Sequence, residues 1–285
     1  MIVVLAVVVA GALAGLIAWA VTRRWPNHDP AAPSVEPGSP VLEAPAGGRV
    51  RLRALWRARL DPEVATGLAL TLAVATLVVL VAVAGVLLLM VRTQTGVARF
   101  DLAFARWGAT HATVGSTAVL RRLSLLGGTA GVILVAVAAG LVEYRRLPDR
   151  AVPALLAATV LGQFAVTNGI KAIVERARPD IAQLTGFAGS SFPSGHAAAA
   201  AATFAVVALL VGRRRSRAAR AVIAGVAVAV AVVVAGTRVL LGVHWLTDVL
   251  AGLAVGWAWF ALWSIAFGGR LLDFGAPAKV SSARA

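Results

Sequence analysis

From Ala65 to Val91 the chain runs 27 residues without a charged side chain. A hydrocarbon layer about 30 Å thick is crossed by roughly 20 apolar residues in a helix. In lipid every backbone N–H and C=O must find a partner within the protein, and a helix provides those partners locally. Six more stretches come close to or pass the same length test: 2–21, 123–143, 151–173, 194–212, 221–240 and 245–267. The sequence therefore predicts an all-α, polytopic transmembrane helix bundle. Its 60% hydrophobic and 14% charged residues, with a mean hydropathy of +0.86, agree with a bilayer as solvent. The absence of cysteine excludes disulfides, thiolate metal sites and a cysteine nucleophile.

The polar segments divide this frame. Residues 22–60 contain PNHDPAAPSVEPGSP, whose Pro and Ser content predicts a flexible linker. After it come Arg49, Arg51, Arg53, Arg57 and Arg59, interleaved with Leu and Trp56, as in a basic amphipathic stretch on a membrane surface. Segment 97–120 reads as a second surface-lying stretch. Ala18-Trp19-Ala20 resembles a signal-peptidase site, but no basic region precedes the apolar run and Arg23-Arg24 follow it. Residues 1–21 are accordingly expected to be a retained N-terminal transmembrane anchor. The expected organisation is this anchor, the cytoplasmic linker 22–60, a six-helix core at 61–268 and a cytoplasmic tail at 269–285.

A net charge of +15, from 27 Lys and Arg against 12 Asp and Glu, raises the question of a nucleic-acid partner. The distribution answers it. Eighteen of the 27 basic residues fall in 22–64, 144–150, 213–220 and 269–285, which alternate spans place on one side. The side richer in Lys and Arg faces the cytoplasm. The loops around 92–122, 173–193 and 241–244 then lie on the outer face. Trp19, Trp25, Trp107, Trp245 and Trp263 fall near span ends, as interfacial anchors do. No nucleic acid is expected; the bilayer is the expected partner.

Three clusters sit at the outer ends of spans. The first runs from Lys171 to Arg178 and Pro179, the second is Pro193-Ser194-Gly195-His196, and the third runs from Thr237-Arg238 through His244 to Asp248. Cations so near hydrocarbon either snorkel or meet an anion. Ser194 suits the N-cap of the apolar run behind it, and the free N–H groups of a first helical turn make an anion site. His244 and Asp248 are four apart, so a helix puts them on one face, and the carboxylate can orient the imidazole as base or nucleophile. Gly242 is placed to break the helix between Arg238 and His244. Three cations, a helix N-terminus, two histidines and one carboxylate suit a dianionic phosphate. The chain offers neither a carboxylate cluster for Mg²⁺ or Ca²⁺ nor a His-x-x-x-His or HExxH pattern for zinc, so no metal or cofactor is expected.

These motifs resemble, in order and spacing, the signature of the type 2 phosphatidic acid phosphatase superfamily, K-x6-RP, PSGH and SR-x5-H-x3-D. That superfamily includes membrane lipid phosphatases, glucose-6-phosphatase and soluble vanadate haloperoxidases. The resemblance covers about 61–268 and departs at Thr237, where Ser is usual. It implies that His244 attacks phosphorus to form a phosphohistidine, that Asp248 orients it, and that His196 protonates the leaving group. Lys171, Arg178 and Arg238 would clamp the phosphate, with Ser194 and the Gly195 amide adding hydrogen bonds. The implied activity is metal-independent hydrolysis of a lipid phosphate at the outer face of the plasma membrane, on polyprenyl diphosphate, phosphatidic acid or phosphatidylglycerophosphate. A lipid phosphotransferase and a non-catalytic transporter or scaffold are the alternatives. Glu175 and Arg176 read as an exposed ion pair or as support for the clamp, Asp180 and Gln183 as possible head-group contacts, and His28 and His111 as surface histidines. The substrate lipid and the oligomeric state stay open.

Overall fold

A computed structural model of the chain describes residues 1–24, 62–146 and 148–271. The regular elements among them are helices. They are α1 (Ile2–Arg24), α2 (Pro62–Thr93), α3 (Asp101–Thr110), α4 (Val114–Ser124), α5 (Thr129–Arg146), α6 (Ala151–Val174), α7 (Gly195–Gly212), α8 (Arg217–Leu240) and α9 (Leu246–Leu271). The all-α transmembrane bundle expected from the apolar runs is what forms. Most of the linker, with the basic stretch 49–59, and the tail beyond Leu271 lie outside the described residues, as do His28 and Trp25.

Six described helices are long and apolar enough to span on their own, and a bent pair, Val114–Gly127 with Thr129–Arg146, makes a seventh if it is counted as one span. The run 123–143 is not a single straight helix. α4 and α5 meet at 51° across the short turn Leu125–Gly127, so the expected span begins at a corner and its helix proper starts at Thr129. Gly127 and Gly128 make the corner possible. A side chain at Gly127 would collide with Val234 of α8 and with the backbone of His196. α3 and α4 form the polar stretch 97–120, with Thr113 and Ser116 closing a reciprocal capping box at the start of α4.

The centre of the bundle is α7, packed against α5, α6, α8 and α9. Its six consecutive alanines, Ala197 to Ala202, are all buried, and small side chains let neighbouring backbones approach closely. The tightest approach is to α9. A Cβ on Gly252 would lie 2.6 Å from Ser194 O, and one on Gly256 would run into Ala198 O. Leu155, Val160, Val206 and Leu210 fill the layer between α6 and α7 below.

α1 is more than a peripheral anchor. It packs along α8, where Gly15 faces Gly225 and Gly11 faces Ala229 and Val233. Near its first residue Val3 and Val7 join Leu120, Leu240, Leu241 and Val243 in one buried cluster. The first helix thereby supports the turn that leads into His244.

Replacing Gly252 with Leu should force α7 and α9 apart, at the 1–3 kcal/mol typical of overpacking. The thermal midpoint in detergent should fall by several degrees. Gly85→Ala and Gly169→Ala, where an added Cβ meets nothing within 4 Å, should hold or slightly raise it.

Candidate active site

The three sequence clusters converge at one end of the bundle. α6 ends at Val174, four residues short of Arg178, because Glu175 takes a left-handed conformation (φ 49°) and turns the chain. Lys171 stays in the last helical turn, and its Nζ donates to Ser190 O. Arg176 and Arg178 leave the helix and enter the loop that runs to Pro193.

Arg178 is the hub of that loop. Its Nε donates to Gly189 O (2.9 Å), Nη2 to Ala188 O (2.8 Å), and Nη1 to Val243 O (2.6 Å). The same Nη1 lies 3.2 Å from His244 Nε2, and Phe187 covers the guanidinium at 4.8 Å. Burial lowers the Arg178 guanidinium from its usual range, with Asp248 acting in the opposite sense.

Ser194 occupies the N-cap position of α7 as expected, but its side chain does not close the cap. Its Oγ is buried and free of hydrogen bonds, as are Ser190 Oγ and Arg238 Nε. Buried polar atoms are rarely left unpaired. Three of them, on residues read as phosphate ligands and their neighbour, suit a group with several acceptor oxygens. The Ser194 backbone is anchored by donation from its N–H to Asp248 O at 2.9 Å. His196, in the first turn of α7, lies within electrostatic reach of Lys171, Arg178, Arg238 and His244.

The third cluster depends on a break after α8. Gly242 has φ 71°, which favours glycine, and a Cβ there would stand 2.7 Å from Ala182 O. The turn folds back so that the N–H groups of Val243 and His244 both donate to Arg238 O. Arg238 is buried, and its Nη1 donates to Ser124 Oγ at 2.8 Å, a partner supplied by the α4–α5 corner. His244 precedes α9, and Asp248 stands in the first turn of that helix. The four-residue spacing therefore acts across a helix start. Asp248 Oδ2 accepts the Trp245 N–H at 2.9 Å and lies 3.4 Å from His244 Nδ1.

These contacts assign the imidazole tautomer. A guanidinium only donates, so Nε2 facing Arg178 carries the lone pair and Nδ1 carries the hydrogen toward Asp248. Burial pushes the His244 imidazole down to about 4, against the opposing pull of Asp248. His244 is thus neutral near pH 7, with the Nε2 lone pair turned toward Arg178.

Asp101 has no place in the sequence expectations, and Arg176 enters them only as half of an exposed ion pair or as support for the clamp. Arg176 does not pair with Glu175. It is mostly buried and bonds to Asp248 (2.6 Å) and Asp101 (2.7 Å). Asp101 begins α3, in the stretch expected to lie on the surface, and is 4% exposed. Of the lesser candidates, Gln183 holds its own loop by donating to Pro179 O, and His111 stacks on Trp107.

Because the folded value for His244 lies below that of an exposed imidazole near 6.5, the unfolded chain binds more protons between those two values. The stability from a neutral His244 is complete above about pH 6.5 and is lost as pH falls toward 4. A histidine ¹⁵N titration should place the His244 midpoint well below 6.5; a midpoint at or above 6.5 contradicts this burial effect.

Comparison with known proteins bears on the family and the fold. Residues 152–271 match the family model described as the PAP2 superfamily. Phosphatidylglycerophosphatase B of Bacillus subtilis is 37% identical over 136 residues, 46% of this chain and 64% of that protein. A lipid A 1-phosphatase of Rhizobium etli is 38% identical over 119 residues, 38% of this chain and 47% of that protein. The chain thus spans 64% of the first relative and about half of the second. The crystal structure of a transmembrane PAP2 type phosphatidylglycerolphosphate phosphatase from Bacillus subtilis superposes with a TM-score of 0.59. It is 25% identical, and the match covers 70% of this chain and 96% of that one. The chain is a multi-pass membrane protein whose residues 152–271 are a PAP2 superfamily domain.

Proposed function

We propose that the protein is a membrane lipid phosphatase working through a phosphohistidine at His244. The observation that carries this reading is the imidazole with Nδ1 toward Asp248 and Nε2 toward Arg178. Nε2 attacks phosphorus and the bond from phosphorus to the ester or anhydride oxygen breaks. His196 gives that oxygen a proton. Water then attacks phosphorus, the P–N bond breaks, and the proton lost by water goes to His196. Lys171, Arg178 and Arg238 stabilise the charge on the equatorial oxygens, with Ser194 Oγ and the Gly195 N–H as further donors. No step needs a metal.

The proposed substrates are lipid phosphate mono- and diphosphate esters. Phosphatidylglycerophosphate leads because two of the compared proteins carry it in their names; phosphatidic acid, polyprenyl diphosphate and lipid A complete the panel. The charge bias of the loops supports a site on the extracytoplasmic face of the plasma membrane. The core then corresponds to 61–268, with 1–21 as an added span, 22–60 as a cytoplasmic linker and 269–285 as a tail.

Purified protein should release phosphate from at least one lipid of the panel. His244→Ala should reduce the rate by more than a thousandfold, vanadate should inhibit, and EDTA should not. The rate should be bell-shaped in pH, needing His244 neutral and His196 protonated. Activity that survives His244→Ala refutes the mechanism, and transfer of phosphate to an added alcohol in preference to water would make the enzyme a phosphotransferase. Topology is testable because the chain has no cysteine of its own. A single cysteine at Glu175 should react with an impermeant reagent from outside intact cells, whereas one at Arg214 should react only after lysis.

A further inference from the structure

Asp248 is completely buried and uses both carboxylate oxygens. Oδ2 serves Trp245 N and His244, and Oδ1 receives Arg176 Nη1. Taken alone, the Arg176 contact works against the histidine. A guanidinium at 2.6 Å fixes the carboxylate but also offsets the negative charge that should stabilise a positively charged imidazole. Asp101 resolves the conflict. Its Oδ2 accepts Arg176 Nη2 at 2.7 Å and the Thr247 hydroxyl at 2.6 Å, while its Oδ1 accepts the Thr247 N–H at 2.9 Å. Arg176 Nη1 also reaches Thr247 Oγ1 at 2.7 Å. Its planar fork is therefore committed on both branches, and Trp245 covers its face at 5.4 Å.

We propose that Arg176 and Asp101 are positioning residues, in which Asp101 balances the charge of Arg176 so that the guanidinium orients Asp248 without cancelling the negative charge that His244 uses. Two carboxylates and one guanidinium leave one net negative charge beside the imidazole. Lysine at 176 would keep the charge but lose the fork, because an ammonium is a compact point charge without the planar bidentate geometry. Neither residue reaches the phosphate side of the site, so the effect falls on turnover rather than on substrate binding. The inference rests on the proposed phosphohistidine mechanism.

The test uses full-length protein in detergent or nanodiscs on whichever panel lipid the wild type hydrolyses. Asp101→Asn should lower kcat at least tenfold with KM within about threefold, because Arg176 then bears on Asp248 alone. Adding Arg176→Gln should recover at least threefold of that loss, since the double variant restores the net charge beside His244. A merely structural network predicts the reverse, a double variant no better than Asp101→Asn. Arg176→Lys, which keeps the charge, should lower kcat with little change in KM and supplies a second measurement if Asp101→Asn fails to fold. Glu175→Gln, at an exposed neighbour, should match wild type. The inference is overturned if folded Asp101→Asn or Arg176→Lys keeps wild-type kcat, or if the double variant shows no recovery. Loss of the phosphatase reading is a separate result, visible as a wild-type protein inert on every lipid or indifferent to His244→Ala.

Discussion

An ionised carboxylate without solvent access, at the start of an apolar helix, is the constraint that the rest of this structure satisfies. Asp248 would be costly to bury without partners. It is kept by a guanidinium, a backbone N–H and an imidazole, together with the favourable field of the α9 N-terminus. Each partner comes from a different source. The guanidinium comes from the loop after α6, the N–H from the first residues of α9's own start, and the imidazole from the turn that Gly242 opens. The α7–α9 crossing follows the same need, since Gly252 allows the Ser194 backbone to come within bonding distance of Asp248 O. Stability and the proposed chemistry therefore draw on the same contacts.

Much of this was legible in the residues because lipid simplifies the physical problem. Long uncharged runs have few conformations open to them, so the number and rough limits of the spans follow from length and composition. The three clusters that the fold brings together were legible for the same reason, as a charge or histidine at a span end must have a partner or a task. What could not be read were contacts without a local signature. Asp101 lies 146 residues from Thr247 and 75 from Arg176, and no periodicity links them. Arg176 sits beside Glu175 in sequence, which suggested a solvent-facing pair; the left-handed turn at Glu175 sends the two side chains apart.

Other misses had signals that could have been used. Gly127-Gly128 is a doublet inside an apparent span, and paired glycines mark turns. Gly11-x-x-x-Gly15 in the first helix is the spacing of close helix packing in lipid, and it lies against Gly225 and Ala229 of α8. The Ser194 side chain is a different case. Position alone made it a capping residue, but a hydroxyl left unbonded at a helix start cannot be told from a bonded one by spacing.

The separation in sequence of the groups around Arg176 also sets the order in which the site can be completed during synthesis. Asp101 and Arg176 both emerge from the ribosome before Asp248, and they can neutralise one another while the later helices are still being made. Asp248 arrives with the last described span, after α7 and α8 in the order of synthesis. On the proposed mechanism, a chain that stops before α9 lacks Asp248, the second carboxylate of the network and the one that orients His244.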